Sequence, residues 1–111
     1  MIWEMNLHPA PFEAIKSRRK DIEMRLFDDR RKGIEIGDTI EFINNQTLEK
    51  LSVEVINLYR FDNFEELYQH FDKTRLGYDD DEIANPKDME MYYSKDNILR
   101  YGVLGIEIKL K

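Results

Sequence analysis

Apolar residues recur along the chain at two spacings, and the spacing divides it into strands and helices. Ile2–Leu7 alternates loosely and reads as a short first strand. Pro9 and Pro11 end it, and proline suits the first turn of a helix. Phe12 and Ile15 lie three apart, which predicts a short helix over Pro11–Ser17 with one apolar edge. Lys20–Phe27 then has period two: Ile22, Met24 and Leu26 fall on one side, and Asp21, Glu23, Arg25 and Phe27 on the other. One face is core and the other carries charge. Asp28–Gly33 is a polar turn or loop. Ile34–Phe42 follows, with a Gly37-Asp38 turn signal and alternation at Ile40 and Phe42.

Asn44-Asn45-Gln46 turns the chain into a further strand, Leu51–Val55, and Ile56 breaks its phase, which predicts a bulge before Leu58. The clearest helix is Asn63–Phe71. Asn63 and Glu66 form a capping pair, and Phe64, Leu67, Tyr68 and Phe71 follow the helical spacing. Beyond Gly77 and the acidic run Asp79–Glu82, Asn85-Pro86 opens another helix with Met89, Tyr92 and Tyr93 on one side. The last strand, Tyr101–Leu110, alternates at Leu104, Ile106, Ile108 and Leu110. These elements make an α+β domain: a small mixed sheet, closed or nearly closed into a barrel, with short helices.

Composition narrows the class. At 111 residues the chain supports one domain. No apolar run approaches the ~20 residues of a transmembrane helix, and Met1–Leu7 does not have the make-up of a secretory signal. The expectation is a soluble, cytoplasmic protein that needs no membrane. The absence of cysteine excludes a disulfide scaffold, a zinc ribbon and a thiol nucleophile. His8 and His70 are too few for a His-dominated metal site. Asp79–Glu82 lacks the spacing and the glycine of a calcium loop and reads as a solvated loop. Neither a metal nor a cofactor is expected.

The net charge of −6 argues against a general nucleic-acid coat, but it is unevenly spread. Residues 1–32 hold eight Lys/Arg against six Asp/Glu, whereas residues 33–111 hold nine against seventeen. Such asymmetry is compatible with a local anion-facing patch and equally with a solvated face. Lys20, Glu23 and Arg25 stand within six residues of one another at a strand entrance. Glu23 and Arg25 share a face, and Lys20 joins them only if the strand begins at about Asp21 and leaves Lys20 on a turn. The competing reading is a surface ladder of opposite charges, worth ~0–1 kcal/mol. Arg18, Arg19, Arg30, Arg31 and Lys32 would extend an anion site through phosphate contacts whose strength falls with salt. Trp3, Tyr92 and Tyr93 either stack on a base or belong to the core. His8 reads as a cap or surface residue, and His70 as surface.

Lys20-Asp-Ile-Glu23-Met-Arg25 resembles the K-x-x-E-x-R part of the ASCH-domain signature G-x-K-x-x-E-x-R, with Arg18 in the place of the glycine. The flanks are similar too: a short Phe-containing helix before, Ile-Gly-Asp-Thr-Ile-Glu-Phe42 after, and Tyr101-Gly-Val-Leu-Gly-Ile-Glu-Ile108 as the closing strand. The resemblance covers nearly the whole chain and implies one ASCH (PUA-like) domain over residues 1–111. It implies a small β-barrel of about five to six strands with two or three short helices, and a cleft lined by the signature. It also implies RNA binding, or processing of RNA or modified nucleosides. One bacterial subgroup resembles an amidase that deacetylates acetylated cytidine with the signature Lys, a Thr nucleophile and a distant Glu. Glu23 fills that Thr position here, no neighbour offers a hydroxyl, and a carboxylate does not inherit the role of a Lys-activated hydroxyl.

Within such a cleft Arg25 presents a planar fork to a phosphate or a base edge, and Glu23 accepts from an amino or hydroxyl group. Lys20 supplies a compact positive charge, or a base if burial lowers its pKa. The expected function is a module that binds RNA or a nucleotide or nucleoside through Lys20, Glu23 and Arg25. Two alternatives stand beside it. One is a hydrolase of a modified nucleoside or of RNA, with Lys20 and Glu23 catalytic; the other is an adaptor for a protein partner.

Overall fold

The loose alternation of the first residues becomes strand β1 (Ile2–Leu7) in a computed structural model that describes residues 1–111. Helix α1 (Pro9–Lys16) begins two residues earlier than the apolar spacing predicts, because Pro9 fits the first helical position. Its end is a Schellman cap: Arg19 N–H donates to Ala14 O at 2.9 Å and Arg18 N–H to Ile15 O at 3.0 Å. That cap puts Arg18 in the left-handed region, at φ 68°. Here the position of the signature glycine has a physical reason, and an arginine occupies it under strain.

Strand β2 is Ile22–Leu26, shorter than the period-two run, because Lys20 and Asp21 are held in the loop by Ala14 O and Arg75 O. Strand β3 covers only Thr39–Asn44, after a turn at Gly37 with φ 95°. Strand β4 (Lys50–Phe61) runs through the expected irregularity, a register shift between Val55 and Asn57 that leaves Ile56 over. Helix α2 (Phe64–His70) is capped as its sequence implies, with the Asn63 side chain accepting from Glu66 N–H. Two short 3-10 helices follow, Lys73–Leu76 and Pro86–Met91. The second ends before Tyr92, so Met89 is buried while Tyr92 is half exposed, and the two do not share the helical face that their spacing suggested. Helix α3 (Lys95–Tyr101), capped by Ser94, has no fully buried residue and hence no readable apolar stripe. Strand β5 is Val103–Leu110.

The five strands lie in the order β1-β3-β4-β5-β2, with β1 parallel to β3 and the other pairs antiparallel. The sheet is a curled half-barrel, and β1 and β2, its two edges, share no ladder. One core joins Phe12 and Ile15 of α1 to Met5, Leu7, Ile40, Phe42, Val53, Val55, Leu104, Ile106 and Ile108. A second packs Phe64 and Leu67 of α2, with Phe71, Leu76 and Met89 beyond it, on Ile22, Met24, Leu26 and Val103. Each fully buried Phe, Leu or Ile contributes about 1.5–3 kcal/mol against solvent exposure. With Ile22, Met24 and Leu26 committed to the second core, Glu23 and Arg25 must face the opposite way, into the curl. No helix is long and apolar enough to cross a membrane.

Candidate functional site

That inward face is the site. Glu23 is 3% exposed, and each of its carboxylate oxygens has its own cation. Lys20 Nζ lies 3.0 Å from Oε1, and Arg25 Nε donates to Oε2 at 2.7 Å. Arg25 Nη2 also donates to the backbone carbonyl of Asn6 on β1, at 3.1 Å. Lys20 joins the pair because it stands outside the strand, on the loop fixed by the Schellman cap. Its aliphatic stem crosses Gly77, where a Cβ would sit 3.1 Å from Lys20 Cδ. Gly77 has φ 106°, so both the space and the backbone conformation call for glycine.

The ladder of solvent-exposed charges is therefore not what forms; this is a buried ion triad. Burial opposes the charge on Glu23, but Lys20 and then Arg25 outweigh it and hold the carboxyl below its ordinary range. Burial works against the Arg25 charge too, and Glu23 outweighs it, so the guanidinium pKa is raised.

A cleft of about 470 Å³ opens over the triad. Its walls come from β1 and the β1–α1 junction (Asn6, His8), the β3–β4 turn (Asn45), α2 (Tyr68) and the stretch from Leu76 to Tyr93. The cations lining it are Lys20 and Arg25; the carboxylates are Glu23, Glu82 and Asp88. Tyr78 Oη donates to Asp88 Oδ2 at 2.8 Å, and the Tyr68 and Tyr78 hydroxyls lie 2.8 Å apart, so Tyr68 donates to Tyr78. Burial, then the bonds to Tyr68 and Asp88, push the Tyr78 phenol far up, and burial raises Tyr68 as well. Both remain protonated donors. Tyr93 stacks on Phe64 (centroids 6.1 Å apart, planes 13° apart), and burial raises its phenol against the opposing charge of Arg25.

Among the side chains singled out from the sequence, Lys20, Glu23, Arg25, Tyr92 and Tyr93 come together at this cleft. Trp3 does not: its indole N–H donates to Asp38 Oδ2 at 2.9 Å and its ring packs on the first core, as a structural side chain would. Arg18, Arg19, Arg30, Arg31 and Lys32 do not line the cleft. Arg19 pairs with Asp79, Arg31 with Asp28 and Lys32 with Asp29, so neighbouring carboxylates already neutralise these three. His70 packs on the rings of Tyr59, Phe61 and Phe71.

Sequence reasoning missed Asn6, Asn45, Tyr68, Tyr78 and Asp88. Tyr68 was legible only as part of an apolar helical face, and the others carried no periodic signal. His8 enters the cleft instead of capping α1. No three His, Asp or Glu side chains gather as a metal site would require.

A curled mixed sheet with a charged Lys-Glu-Arg seam at one edge defines a PUA-like half-barrel. The chain belongs to the ASCH domain family, whose model matches residues 5–110. It is similar in structure to the hypothetical protein PH0355, with 28% identity and a TM-score of 0.84 over all of both chains. It is also similar to protein PF0455 from Pyrococcus furiosus, with 31% identity and a TM-score of 0.77 over 99% of this chain and 97% of that one. The S128A mutant of ZmASCH from Zymomonas mobilis shares the fold at 11% identity, with a TM-score of 0.69 over 97% of this chain and 67% of that one. No curated protein sequence gives a significant match.

Proposed function

We propose that this protein is a recognition module whose cleft takes a single nucleobase-bearing ligand: a nucleoside, a nucleotide or the terminal residue of an RNA. The observation that carries this reading is the state of Lys20. Its side chain is 8% exposed, its one charged partner is Glu23 at 3.0 Å, and it lines the cleft with donor capacity beyond that one pair. A buried donor so placed is suited to a ligand oxygen. Four tyrosines beside it supply flat apolar surface of the kind on which unpaired bases stack.

Recognition is favoured over hydrolysis by what surrounds Glu23. A carboxylate clamped by two cations, with its pKa held low, is a weak base and a weak nucleophile. No aliphatic hydroxyl stands in for it. Ser17 Oγ is bonded back to Ala14 O, Thr39 Oγ1 accepts from Lys111, and neither lines the cleft. A module that tracks a long RNA backbone is disfavoured because Arg18, Arg19, Arg30, Arg31 and Lys32 do not line the cleft, and three of them are paired with carboxylates.

The test is a titration of isotope-labelled protein with nucleosides, mononucleotides and short single-stranded RNAs at two salt concentrations. Amide shifts centred on residues 20–25 and 76–93, with little dependence on salt, are expected. Shifts restricted to Arg18, Arg19 and Arg30–Lys32, seen only with RNA and fading in salt, would instead assign a backbone-binding surface. No response to any probe would leave the protein-adaptor reading in its place.

A further inference from the structure

Three side chains at the mouth of the cleft keep a polar atom or a ring face free of any partner in the protein. His8 occupies the N-cap position of α1, yet its side chain makes no capping bond. It turns into the cleft, where Asn45 Nδ2 lies 3.2 Å from its Nδ1. Asn45 follows the residue that ties the β3–β4 turn: Asn44 Oδ1 accepts from Gln46 and Thr47 N–H, while the Asn45 side chain meets only His8. Tyr92, from the opposite side, is 52% exposed, has no hydrogen bond through its hydroxyl, and places its ring 5.7 Å from that of His8. These three side chains come from positions far apart in sequence and meet only at the cleft mouth.

Their chemistry is specific. The contact between Asn45 Nδ2 and His8 Nδ1 occupies one ring nitrogen of His8 and the amide nitrogen of Asn45. The other ring nitrogen of His8 has no partner in the protein, and neither does Asn45 Oδ1. The mouth therefore offers an imidazole nitrogen, an amide oxygen and the face of a phenol ring. None of the three is a carboxylate, a lysine or an arginine, whereas the floor of the cleft is an ion triad.

We propose that His8, Asn45 and Tyr92 form a second recognition wall, which seats the planar, uncharged part of a nucleoside whose other edge meets Lys20. The inference rests on the nucleobase reading of the cleft. Tyr92 stacks on the base, and the free ring nitrogen of His8 with Asn45 Oδ1 reads a neighbouring polar edge. Because all three side chains are exposed or half exposed, their replacement leaves folding stability nearly unchanged.

The experiment measures the affinity of the unaltered chain, His8→Ala, Tyr92→Ala and Tyr92→Phe for cytidine and for adenosine, by NMR titration. The expected result is a loss of roughly tenfold for Tyr92→Ala and for His8→Ala. Tyr92→Phe, which retains the ring, stays within about twofold. All four chains should keep the same thermal unfolding midpoint. If the alanine variants bind both nucleosides as the unaltered chain does, with Lys20–Arg25 amides still shifting, the wall is overturned and the cleft reading stands. If neither nucleoside shifts any resonance of the unaltered chain, the wall is overturned, and the cleft reading is decided by the mononucleotide and RNA arms of the titration above.

Discussion

Arg25 on β2 donates to the carbonyl of Asn6 on β1 across 3.1 Å, so a side chain, not a ladder, joins the two edges of the half-barrel. The same guanidinium holds Glu23 through Nε. Only a planar fork makes both contacts at once. Arg25→Lys is expected to keep the charge, lose the seam and destabilise the fold by about 1–3 kcal/mol. Urea unfolding measures the loss, and hydrogen exchange should show faster exchange at the end of β1.

Glu23 is buried between two cations. Glu23→Gln leaves Lys20 and Arg25 without a counter-charge in the same buried place, at an expected cost of about 3–5 kcal/mol. The pH dependence follows from the direction of its shift. Its folded pKa lies below the ordinary value of 4.5, so its contribution is full above that pH and is lost as pH falls through the folded pKa. Asp38, held low first by the Trp3 indole N–H, acts in the same sense. Stability should therefore fall on acidification below about pH 4.5, and less steeply in Glu23→Gln. Urea midpoints for both chains between neutral and acid pH test this.

Gly77 gives the Lys20 stem its path. In Gly77→Ala the new methyl would lie 3.1 Å from Lys20 Cδ on a backbone at φ 106°. The expected outcome is a loss of about 1–2 kcal/mol together with weaker binding of cytidine. A change in unfolding midpoint without any change in nucleoside affinity would mean that the position of Lys20 is set elsewhere.

Arg18 is strained where the family signature carries glycine. Arg18→Gly should relax the helix cap and stabilise the chain by about 0.5–1 kcal/mol. Nucleoside affinity should be unchanged, since Arg18 does not line the cleft. Thermal unfolding and one NMR titration check the two halves of the statement.

Glu82 lies on the rim of a cleft whose carboxylates outnumber its cations. Cytidine 5′-monophosphate should bind more weakly than cytidine, and Glu82→Gln should narrow the gap about two- to fivefold by removing one repulsion. The amide oxygen of Gln can still accept from Asp79 N–H, as Glu82 Oε1 does, so the loop is preserved. Competition between the two ligands on both chains reads the effect.

Much of the fold was legible because strands and helices bury faces with different periods. Alternation at Ile22, Met24 and Leu26 located β2, the Asn63–Glu66 cap located α2, and the break at Ile56 located the bulge. The same period of two places Glu23 and Arg25 on one face of β2. Boundaries drifted where hydrogen bonds to distant residues decide them, as at Lys20 and Asp21. Helix α3 was not legible, since a helix that buries no residue fully has no stripe to read.

By itself the sequence determined the identities: a Lys, a Glu and an Arg in a spacing that one strand and its preceding loop can converge, and a chain without thiols or a long apolar span. Whether they converge, and in what dielectric, was decided by the tertiary structure. The commitment of Ile22, Met24 and Leu26 to the core beneath α2 forces the charged face of β2 into the curl. The cap at Arg18 and the bare backbone of Gly77 bring Lys20 to the same point. His8, Asn45 and Tyr92 meet only because the β1–α1 junction, the β3–β4 turn and the 76–93 stretch close on one cleft. No local pattern encodes such a meeting, because contacts between side chains distant in sequence depend on how whole elements pack.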